Sequence, residues 1–309
     1  MPSPSFVLSP APPFRLDLTV WLLRRRPHNL VDRWDGETYQ RVLVVQEKPV
    51  LVTVSQTGSP EAPELQVKFS GAVSGIPEAA AALEAALTRL LGLSVDLTGF
   101  YQAAGSDQRL ARLIQPFRGA KPPRFPSVFE ALVNAIACQQ LSLIVGIHLL
   151  NRLAAEYGPG VSGPHGPIHA FPQAKDLAGA DPETLRGLGF SRSKARALVD
   201  LAQTVAHGRV DLENLDALDD DQVVEHLEAL RGIGRWSAEY VLLRGLGRWR
   251  IFPGDDVGAR KRLQAWLDWR KPLTYPEIGR LLARWQPFGG LIYFHLLLSA
   301  LAEAGHLDT

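Results

Sequence analysis

The sequence predicts an α+β protein, with a small antiparallel-sheet domain in residues 1–97 followed by an all-α domain in residues 98–309. Three observations support this prediction. Runs rich in β-branched residues, separated by turn-forming residues, occur before residue 71. Helical periodicity dominates the rest of the chain. A chain of 309 residues with 46% apolar and 21% charged residues is long enough for two globular domains.

The N-terminal domain is expected to begin with a proline-rich, disordered segment over residues 1–13. Strands are expected where side chains alternate or where β-branched residues cluster. A helix rich in alanine and leucine is expected over residues 77–92, and Gly92 ends it. The predicted strands cover residues 14–21, 39–45, 50–54 and 65–69.

Apolar residues at helical spacing define the elements of the second domain. This domain is expected to contain helices alone, because strand-like runs are nearly missing from its sequence. The predicted helices cover residues 106–115, 126–139, 142–157, 174–179, 182–187, 193–206, 221–231, 235–247, 257–267, 275–285 and 289–303.

A very tight turn, Gly232-Ile233-Gly234, joins two of these helices. Glycines let the backbone take positive φ and let a phosphate approach the amide N–H groups closely. The following helix presents its unpaired N–H groups and the positive end of its dipole in the same direction. The turn therefore predicts an anion site, and a nucleic-acid backbone is the natural polyanion.

Charge and cysteine content limit the kinds of site that are possible. The net charge of only +1 means that any phosphate-binding face must be a local one. The single cysteine, Cys138, excludes an intramolecular disulfide and a four-cysteine iron–sulfur cluster. Histidines lack metal-ligand spacing, so we expect neither a metal nor an organic cofactor. No apolar run has membrane-spanning length and no secretory signal is evident, so we expect a cytoplasmic protein without a membrane partner.

Two segments carry a resemblance to a known family. Residues 230–238, LRGIGRWSA, resemble the helix-hairpin-helix of the DNA glycosylase superfamily. Residues 252–257, FPGDDV, are similar to the segment that brings the catalytic aspartate of that superfamily to its base pocket. The ending GRW resembles the 3-methyladenine DNA glycosylase II branch. The resemblance is strong over residues 126–256, fair to the C-terminus and weak over the first hundred residues.

The resemblance implies a catalytic carboxylate and a base pocket. Asp256 matches the catalytic aspartate, with Asp255 as the alternative. Aspartate is also a favoured residue at a helix N-terminus, so a capping role is expected for at least one of the two. Trp236 and Tyr240 match a stacking pocket, although aromatic residues four apart on a helix are also typical of a core.

DNA contacts are expected at the hairpin and at the end of the helix over residues 126–139. The resemblance places Gln140, or Leu141, in the gap that a flipped nucleotide leaves in the duplex. Paired glutamines also cap helices or face solvent, which is the alternative. The predicted DNA-binding residues are Gly232, Gly234, Arg235, Ser237, Gln139 and Gln140.

Three further features have less specific interpretations. Residues 185–198 faintly repeat the hairpin sequence forty-five residues earlier and predict a packing hairpin or a minor DNA contact. His295 is expected to be a core histidine. The last aromatic pocket residue of the family falls on Leu297 here, which leaves the preferred base open.

The resulting hypothesis is a monomeric, monofunctional DNA N-glycosylase. It would flip damaged bases, alkylated ones such as 3-methyladenine, out of double-stranded DNA and excise them in base excision repair. One alternative is a bifunctional glycosylase and lyase for oxidised bases, which uses a lysine where Trp236 stands here. The other is a non-catalytic helix-hairpin-helix protein that only binds DNA.

Overall fold

A computed structural model describes residues 4–71, 73, 76–163 and 166–307. Its N-terminal part contains a five-stranded antiparallel sheet with strand order β1-β5-β4-β3-β2. Side chains alternate between the two faces of the sheet along each strand, and one face packs against two helices, α1 (Leu16–Arg24) and α2 (Ile76–Leu91). The predicted α+β class is confirmed. The strands are β1 (Ser5–Leu8), β2 (Arg33–Trp34), β3 (Thr38–Val45), β4 (Lys48–Gln56) and β5 (Leu65–Gly71).

The strand predicted over residues 14–21 is wrong, because this segment forms the helix α1. Leu16 and Val20 pack in the core beneath the sheet. Leu18 and Leu22 point to the opposite side and join the core of the helical domain. Because α1 is buried on two sides, its apolar residues do not form the single stripe of a surface helix. Their spacing in the sequence is close to the two-residue period of a strand.

The disorder predicted for residues 1–13 is also wrong over Ser5–Leu8. This segment forms β1 at the sheet edge and pairs with residues 65–68 of β5. Leu8 is buried in the core beneath the sheet, and this burial stabilises the strand although the prolines around it disfavour strand structure. Residues 1–3 lie outside the described residues.

The remaining helices build the C-terminal part around two adjoining cores. All eleven predicted segments match helices to within a few residues; residues 106–115 correspond to α4 and the start of a following 3₁₀ turn. The helices are α3 (Thr98–Gly105), α4 (Gln108–Ile114), α5 (Val128–Cys138), α6 (Leu143–Tyr157), α7 (Ala174–Leu177), α8 (Pro182–Gly187), α9 (Arg192–Ala206), α10 (Asp220–Glu228), α11 (Arg235–Arg244), α12 (Val257–Trp266), α13 (Tyr275–Leu282) and α14 (Gly289–Glu303).

One detail of the all-α expectation is wrong. Strands β6 (Gly160–Gly163) and β7 (Gly166–His169) form a small antiparallel hairpin between α6 and α7. Its Ile168 packs with Val42 of the sheet, so the hairpin covers part of the second sheet face. Glycine, serine and proline dominate both strands, and their low strand propensity gave no sequence signal.

A buried ionic cluster joins the sheet to the helices. Arg41 on β3 donates through Nη1 to Asp32 (2.7 Å) and through Nη2 to Glu130 of α5 (2.6 Å). All three side chains are almost fully buried. Together with α1, which contributes to cores on both sides, this cluster fixes the sheet against α5. The boundary at residue 97 stays a prediction.

Candidate active site

The helices α10 and α11 meet in the predicted tight turn. Gly232 has φ of 80°, and a Cβ there would lie 2.9 Å from the Cβ of Ala197, so both its conformation and its surroundings require glycine. Gly234 instead has an extended backbone with φ of −123°. A Cβ at Gly234 would meet nothing within 4 Å. Its surroundings are therefore open, which leaves an incoming group free to approach the turn.

The N-terminus of α11 is uncapped: within the described residues, no side chain accepts a hydrogen bond from its first amides. By contrast, Ser142 caps α6 and Asp256 caps α12. The first N–H groups of a helix lack intrahelical acceptors. At this turn they remain available for an anionic ligand, as the sequence predicted.

The repeat over residues 185–198 supports the hairpin by packing against it. Its turn has a similar left-handed glycine, Gly189, with φ of 104°. Its helix α9, however, is capped by Ser191, whose Oγ accepts from the amide of Lys194. Residues of α9 contact the second hairpin through Ala197 against Gly232 and through an ion pair between Asp200 and Arg231 (3.0 Å).

Gln139 holds the hairpin from beneath. Its Nε2 donates to the carbonyl of Gly232 and to Oγ of Ser237, both at 2.8 Å. Ser237 is only 1% exposed. Lys194 donates to the carbonyl of Gln139 at 2.6 Å and so fixes the end of α5. The side chains of Gln139 and Ser237 thus position the turn, and neither projects from it.

Gln140 and Leu141 project from the surface between α5 and α6. Gln140 is exposed and has a left-handed backbone with φ of 54°, a conformation that costs a non-glycine residue about 1–2 kcal/mol. Leu141 is 44% exposed, and Val145 beyond it has a similar exposure. This protruding apolar segment lies where the sequence predicted insertion into a duplex.

A cavity of about 980 Å³ opens beside the hairpin. Every residue predicted for catalysis, base binding or DNA binding lines it. The lining includes Gln139, Gln140, Gly232, Gly234, Arg235, Trp236, Ser237, Tyr240 and Asp256, and also Leu297 at the last pocket position of the family. It further includes Arg25, Arg26, Cys138, Arg262 and Tyr293, which the predicted site did not contain.

Asp256 combines a capping role with a place in the cavity. Its Oδ1 accepts from the amide of Ala259 at 2.8 Å, and its Oδ2 accepts from the hydroxyl of Tyr293 at 3.2 Å. Burial and the charge of Asp256 raise the pKa of Tyr293 well above its ordinary value, so the phenol keeps its proton and donates. Asp255 is exposed and Asp256 is half-buried. Two hydrogen bonds therefore fix the Asp256 carboxylate.

A second carboxylate ties the hairpin to the loop that carries Asp256. Glu239 on α11 accepts from the amide of Gly254 (3.2 Å) and from the hydroxyl of Tyr275. Burial raises the pKa of Glu239. The guanidinium of Arg235 lies 4.7 Å from the centre of the Tyr275 ring, a cation–π contact. The hairpin residue Arg235 is thereby linked to the loop before Asp256.

Trp236 and Tyr240 lie in direct contact with each other. Their ring centroids are 5.5 Å apart with an interplanar angle of 34°, which leaves no room for a base between them. Tyr240 is buried, and its hydroxyl accepts from Nη1 of Arg25 at 2.9 Å. Nη2 of Arg25 donates to Asn134 at 2.7 Å. A base can therefore stack on one face of Trp236 but cannot be sandwiched by the pair.

Sequence reasoning missed Tyr293 and Arg25. Tyr293 precedes Leu297 by one helical turn on α14, so an aromatic wall exists although the family position is occupied by leucine. Arg25 follows α1, which had been interpreted as a strand. Its signal was the run Arg24-Arg25-Arg26, because three consecutive arginines cannot all face solvent from the end of a buried helix.

Other expectations concern residues outside the cavity or properties of the whole chain. His295 is a core histidine, as predicted: its Nδ1 lies 2.8 Å from the carbonyl of Leu291, and burial lowers its pKa to about 4. Within the described ranges, no group of side chains could hold a metal ion. The helices of those ranges include none with the length and apolar character needed to cross a bilayer.

These features define a class of site in which an uncapped helix-hairpin-helix turn, an aromatic surface and a fixed carboxylate share one cavity. A family model described as HhH-GPD superfamily base excision DNA repair protein matches residues 133–287. The chain belongs to this superfamily.

Individual relatives agree with this assignment. DNA-3-methyladenine glycosylase 2 of Escherichia coli is 28% identical over 291 residues, which cover 94% of this chain and 96% of that protein. The solved 3-methyladenine DNA glycosylase of Archaeoglobus fulgidus has a TM-score of 0.81 at 24% identity, covering 95% of this chain and 97% of its own. An 8-oxoguanine glycosylase/lyase of Clostridium acetobutylicum, solved with double-stranded DNA, shares the fold at a TM-score of 0.75 and 16% identity, over 98% and 100% of the two chains.

Proposed function

We propose that this protein is a monofunctional DNA N-glycosylase that flips alkylated bases such as 3-methyladenine out of double-stranded DNA and excises them in base excision repair. The observation that carries the proposal is the Asp256 carboxylate, fixed in the cavity that the hairpin and Trp236 also line. Supporting it, the Escherichia coli relative matched over nearly its whole length is named a 3-methyladenine glycosylase.

The DNA backbone would bind at the hairpin. The first amides of α11 donate to no side-chain cap within the described chain, so a phosphate can accept their hydrogen bonds while Arg235 adds a positive charge. Gln140 and Leu141 lie at the cavity rim, where they can fill the space left in the duplex. The flipped nucleotide then enters the cavity.

Asp256 would stabilise the transition state. Breaking the bond between C1′ and the base builds positive charge on the sugar, as in glycoside hydrolysis. A carboxylate held by Ala259 and Tyr293 needs no reorganisation when that charge forms, and such preorganised groups contribute several kcal/mol. The carboxylate can also orient the attacking water. The proposed chemistry needs neither a metal nor an organic cofactor.

The aromatic surface favours an alkylated base. Methylation at N3 or N7 makes a purine cationic and weakens its glycosidic bond, so no dedicated acid is required for the leaving group. A cation over an indole face gains roughly 0.5 to 2 kcal/mol. The buried Arg25 opposes a cationic base at the Tyr240 hydroxyl, so Trp236 is the stacking partner.

A panel of lesions tests the substrate. Single-turnover release of 3-methyladenine or 7-methylguanine from duplex DNA should be faster than release of uracil or 8-oxoguanine. Trp236→Ala should lower this ratio. Faster removal of a neutral lesion, or a ratio unchanged by Trp236→Ala, would contradict the proposal that a cationic base stacks on Trp236.

The alternative glycosylase/lyase activity requires a lysine that attacks C1′. Within the described chain, the residues that line the cavity include no lysine. Lys194 donates to the carbonyls of Ala137 and Gln139 and so is not free to attack. Borohydride added during turnover should trap no protein–DNA adduct. A covalent product would instead indicate a lyase and direct attention to Lys194 or Lys261.

Three broader aspects belong to the same proposal. We infer that the protein acts as a monomer on double-stranded DNA, with residues 98–309 as the catalytic domain. Residues 1–97 then act in concert with it, because Arg25 and Arg26 line the cavity. The cytoplasmic location stays a prediction.

A further inference from the structure

Two half-buried arginines line the cavity without a carboxylate partner. Arg26 follows α1, and Arg262 lies on α12. Within the described ranges, neither guanidinium forms an ion pair. Among the described residues, the Arg26 side chain donates only to the carbonyl of Arg25, at 2.9 Å. A Cβ on Gly258 would lie 3.7 Å from Nη1 of Arg262 and 3.3 Å from Oδ1 of Asp256, so the Arg262 guanidinium and the Asp256 carboxylate both lie beside the N-terminus of α12.

The two positive charges face a shared space. Partial burial lowers the pKa of Arg26, and the charges of Arg262 and Arg25 lower it further. Arg248, which is also half-buried, pairs with Asp220 at 2.7 Å. Two like charges close to each other repel, and an anion bound between the two guanidinium groups would replace this repulsion with attraction. Guanidinium groups match phosphate geometry well.

We propose that Arg26 and Arg262 form a phosphate clamp for the backbone of the flipped nucleotide, separate from the phosphate site of the hairpin. The inference rests on the proposed function, since it requires DNA to enter this cavity. A nucleotide has a backbone phosphate on either side, and rotation into a pocket carries both toward its rim. The hairpin amides bind one backbone position, and a second anion requires cations elsewhere on the rim.

The sequence carries a matching signal. The chain contains two runs of three consecutive basic residues, 24–26 and 260–262, and each supplies one arginine of the clamp. In the first run, Arg24 donates inward to the carbonyls of Trp34 and Pro27, and Arg25 holds Tyr240. Only Arg26 remains to face the cavity rim. The N-terminal part would therefore contribute directly to DNA binding.

The clamp can be tested by binding to a duplex with a stable abasic-site analogue, which has the phosphates but no base. Arg26→Gln and Arg262→Gln should each lower affinity roughly tenfold and reduce the salt dependence of log K by about one. Arg209→Gln is the matched control, because Arg209 is exposed beyond the end of α9 and does not line the cavity. The control should bind as the wild type does.

Neutral methylphosphonates, placed singly around the abasic site, identify the phosphate. A methylphosphonate at one position should weaken binding by the wild type but leave the affinities of Arg26→Gln and Arg262→Gln unchanged. The clamp is refuted if the salt dependence does not change, or if both variants lose affinity at every position as the wild type does. It is also refuted if the variants are impaired only on DNA that keeps its base, which would indicate base recognition. A protein that binds abasic DNA through Arg26 yet releases no base would overturn the proposed function and leave the clamp intact.

Discussion

Single side chains in this protein combine structural and chemical roles. Asp256 caps α12 through one carboxylate oxygen and receives the Tyr293 hydroxyl at the other. As the N-cap, Asp256 begins α12. Because it also lines the cavity, its negative charge can act on a ligand bound there. Because asparagine is as good an N-cap as aspartate, Asp256→Asn removes the charge with little change in helix stability.

His295 makes the stability of the protein sensitive to acid. Burial lowers its pKa to about 4, whereas the ordinary value is 6.5. Between these two pH values the unfolded chain takes up a proton that the folded chain refuses, so stability falls as pH decreases from 6.5 toward 4. When the pH is lowered from 7 to 5, the free energy of unfolding of His295→Leu should fall by about 2 kcal/mol less than that of the wild type. Urea unfolding at several pH values measures this difference.

The two proteins are compared by how their free energies of unfolding change with pH. Any effect of the substitution on core packing is the same at each pH and therefore cancels. Carboxylates that titrate in the same range contribute equally to both proteins. Parallel curves for the wild type and His295→Leu would contradict a neutral, buried histidine.

At the level of elements, the hairpin depends on the neighbouring helices α5 and α9. Gln139 at the end of α5 holds both Gly232 and Ser237, and α9 packs against the same turn. The hairpin amides are thus presented by a framework of two supporting helices. Phosphate binding should therefore respond to side chains that hold the turn in place.

Gln139→Ala should weaken DNA binding more than it slows base release. The substitution leaves the carbonyl of Gly232 and the hydroxyl of Ser237 without their donor, a loss of about 1–3 kcal/mol in support for the turn. We expect KM to rise several-fold while kcat changes little, because Asp256 lies on a different element. Single-turnover kinetics over a range of enzyme concentrations separate these constants.

Gln203→Ala is the matched control, because Gln203 likewise donates to a backbone carbonyl, that of Ala178, away from the cavity. It should leave KM unchanged. An equal effect of the two variants, or a fall in kcat with constant KM for Gln139→Ala, would contradict the supporting role of Gln139.

The sequence predicted the elements whose patterns are local. The hairpin, the helix after Asp256 and most helix limits depend on short-range periodicity and turn chemistry, and these were confirmed. The helix α1 was missed because its two faces enter two different cores, so nearly all of its residues are buried and its sequence resembles that of a strand. The hairpin of β6 and β7 was missed because its strands lack β-branched character apart from a few residues.

The candidate site could be predicted only where its residues share one motif. Asp256 and Trp236 lie within one segment of the chain, whereas Arg25 and Tyr293 reach the cavity from positions more than 200 residues away from each other. Nothing in local sequence marks such contacts. The φ of 54° at Gln140 likewise results from the tight connection between α5 and α6, which no propensity predicts for glutamine.

At the level of the whole molecule, the sheet and the helices form a connected structure. Arg41 on the sheet bonds Glu130 on α5, and α1 contributes to the cores on both sides. Arg25 and Arg26 leave α1 toward the cavity. The position of the sheet therefore determines where these two arginines stand relative to Asp256.

Arg41→Met should destabilise the protein by about 3–5 kcal/mol, because it leaves Asp32 and Glu130 as buried carboxylates without a counter-charge. Urea denaturation measures the loss. Adding Glu130→Met should restore part of it, so the double variant should be more stable than the sum of the single effects predicts. Additive effects would show that the two residues are not coupled across the sheet and α5.

The most direct test of the proposed function is single-turnover release of 3-methyladenine from duplex DNA by Asp256→Asn. Removal of the charge opposite the developing sugar cation should lower the rate by about 10²-fold or more. Affinity for an abasic-site duplex and the free energy of unfolding should stay close to wild-type values, because asparagine retains the cap on α12. Base release at the wild-type rate by a folded, DNA-binding Asp256→Asn would contradict the catalytic role of Asp256.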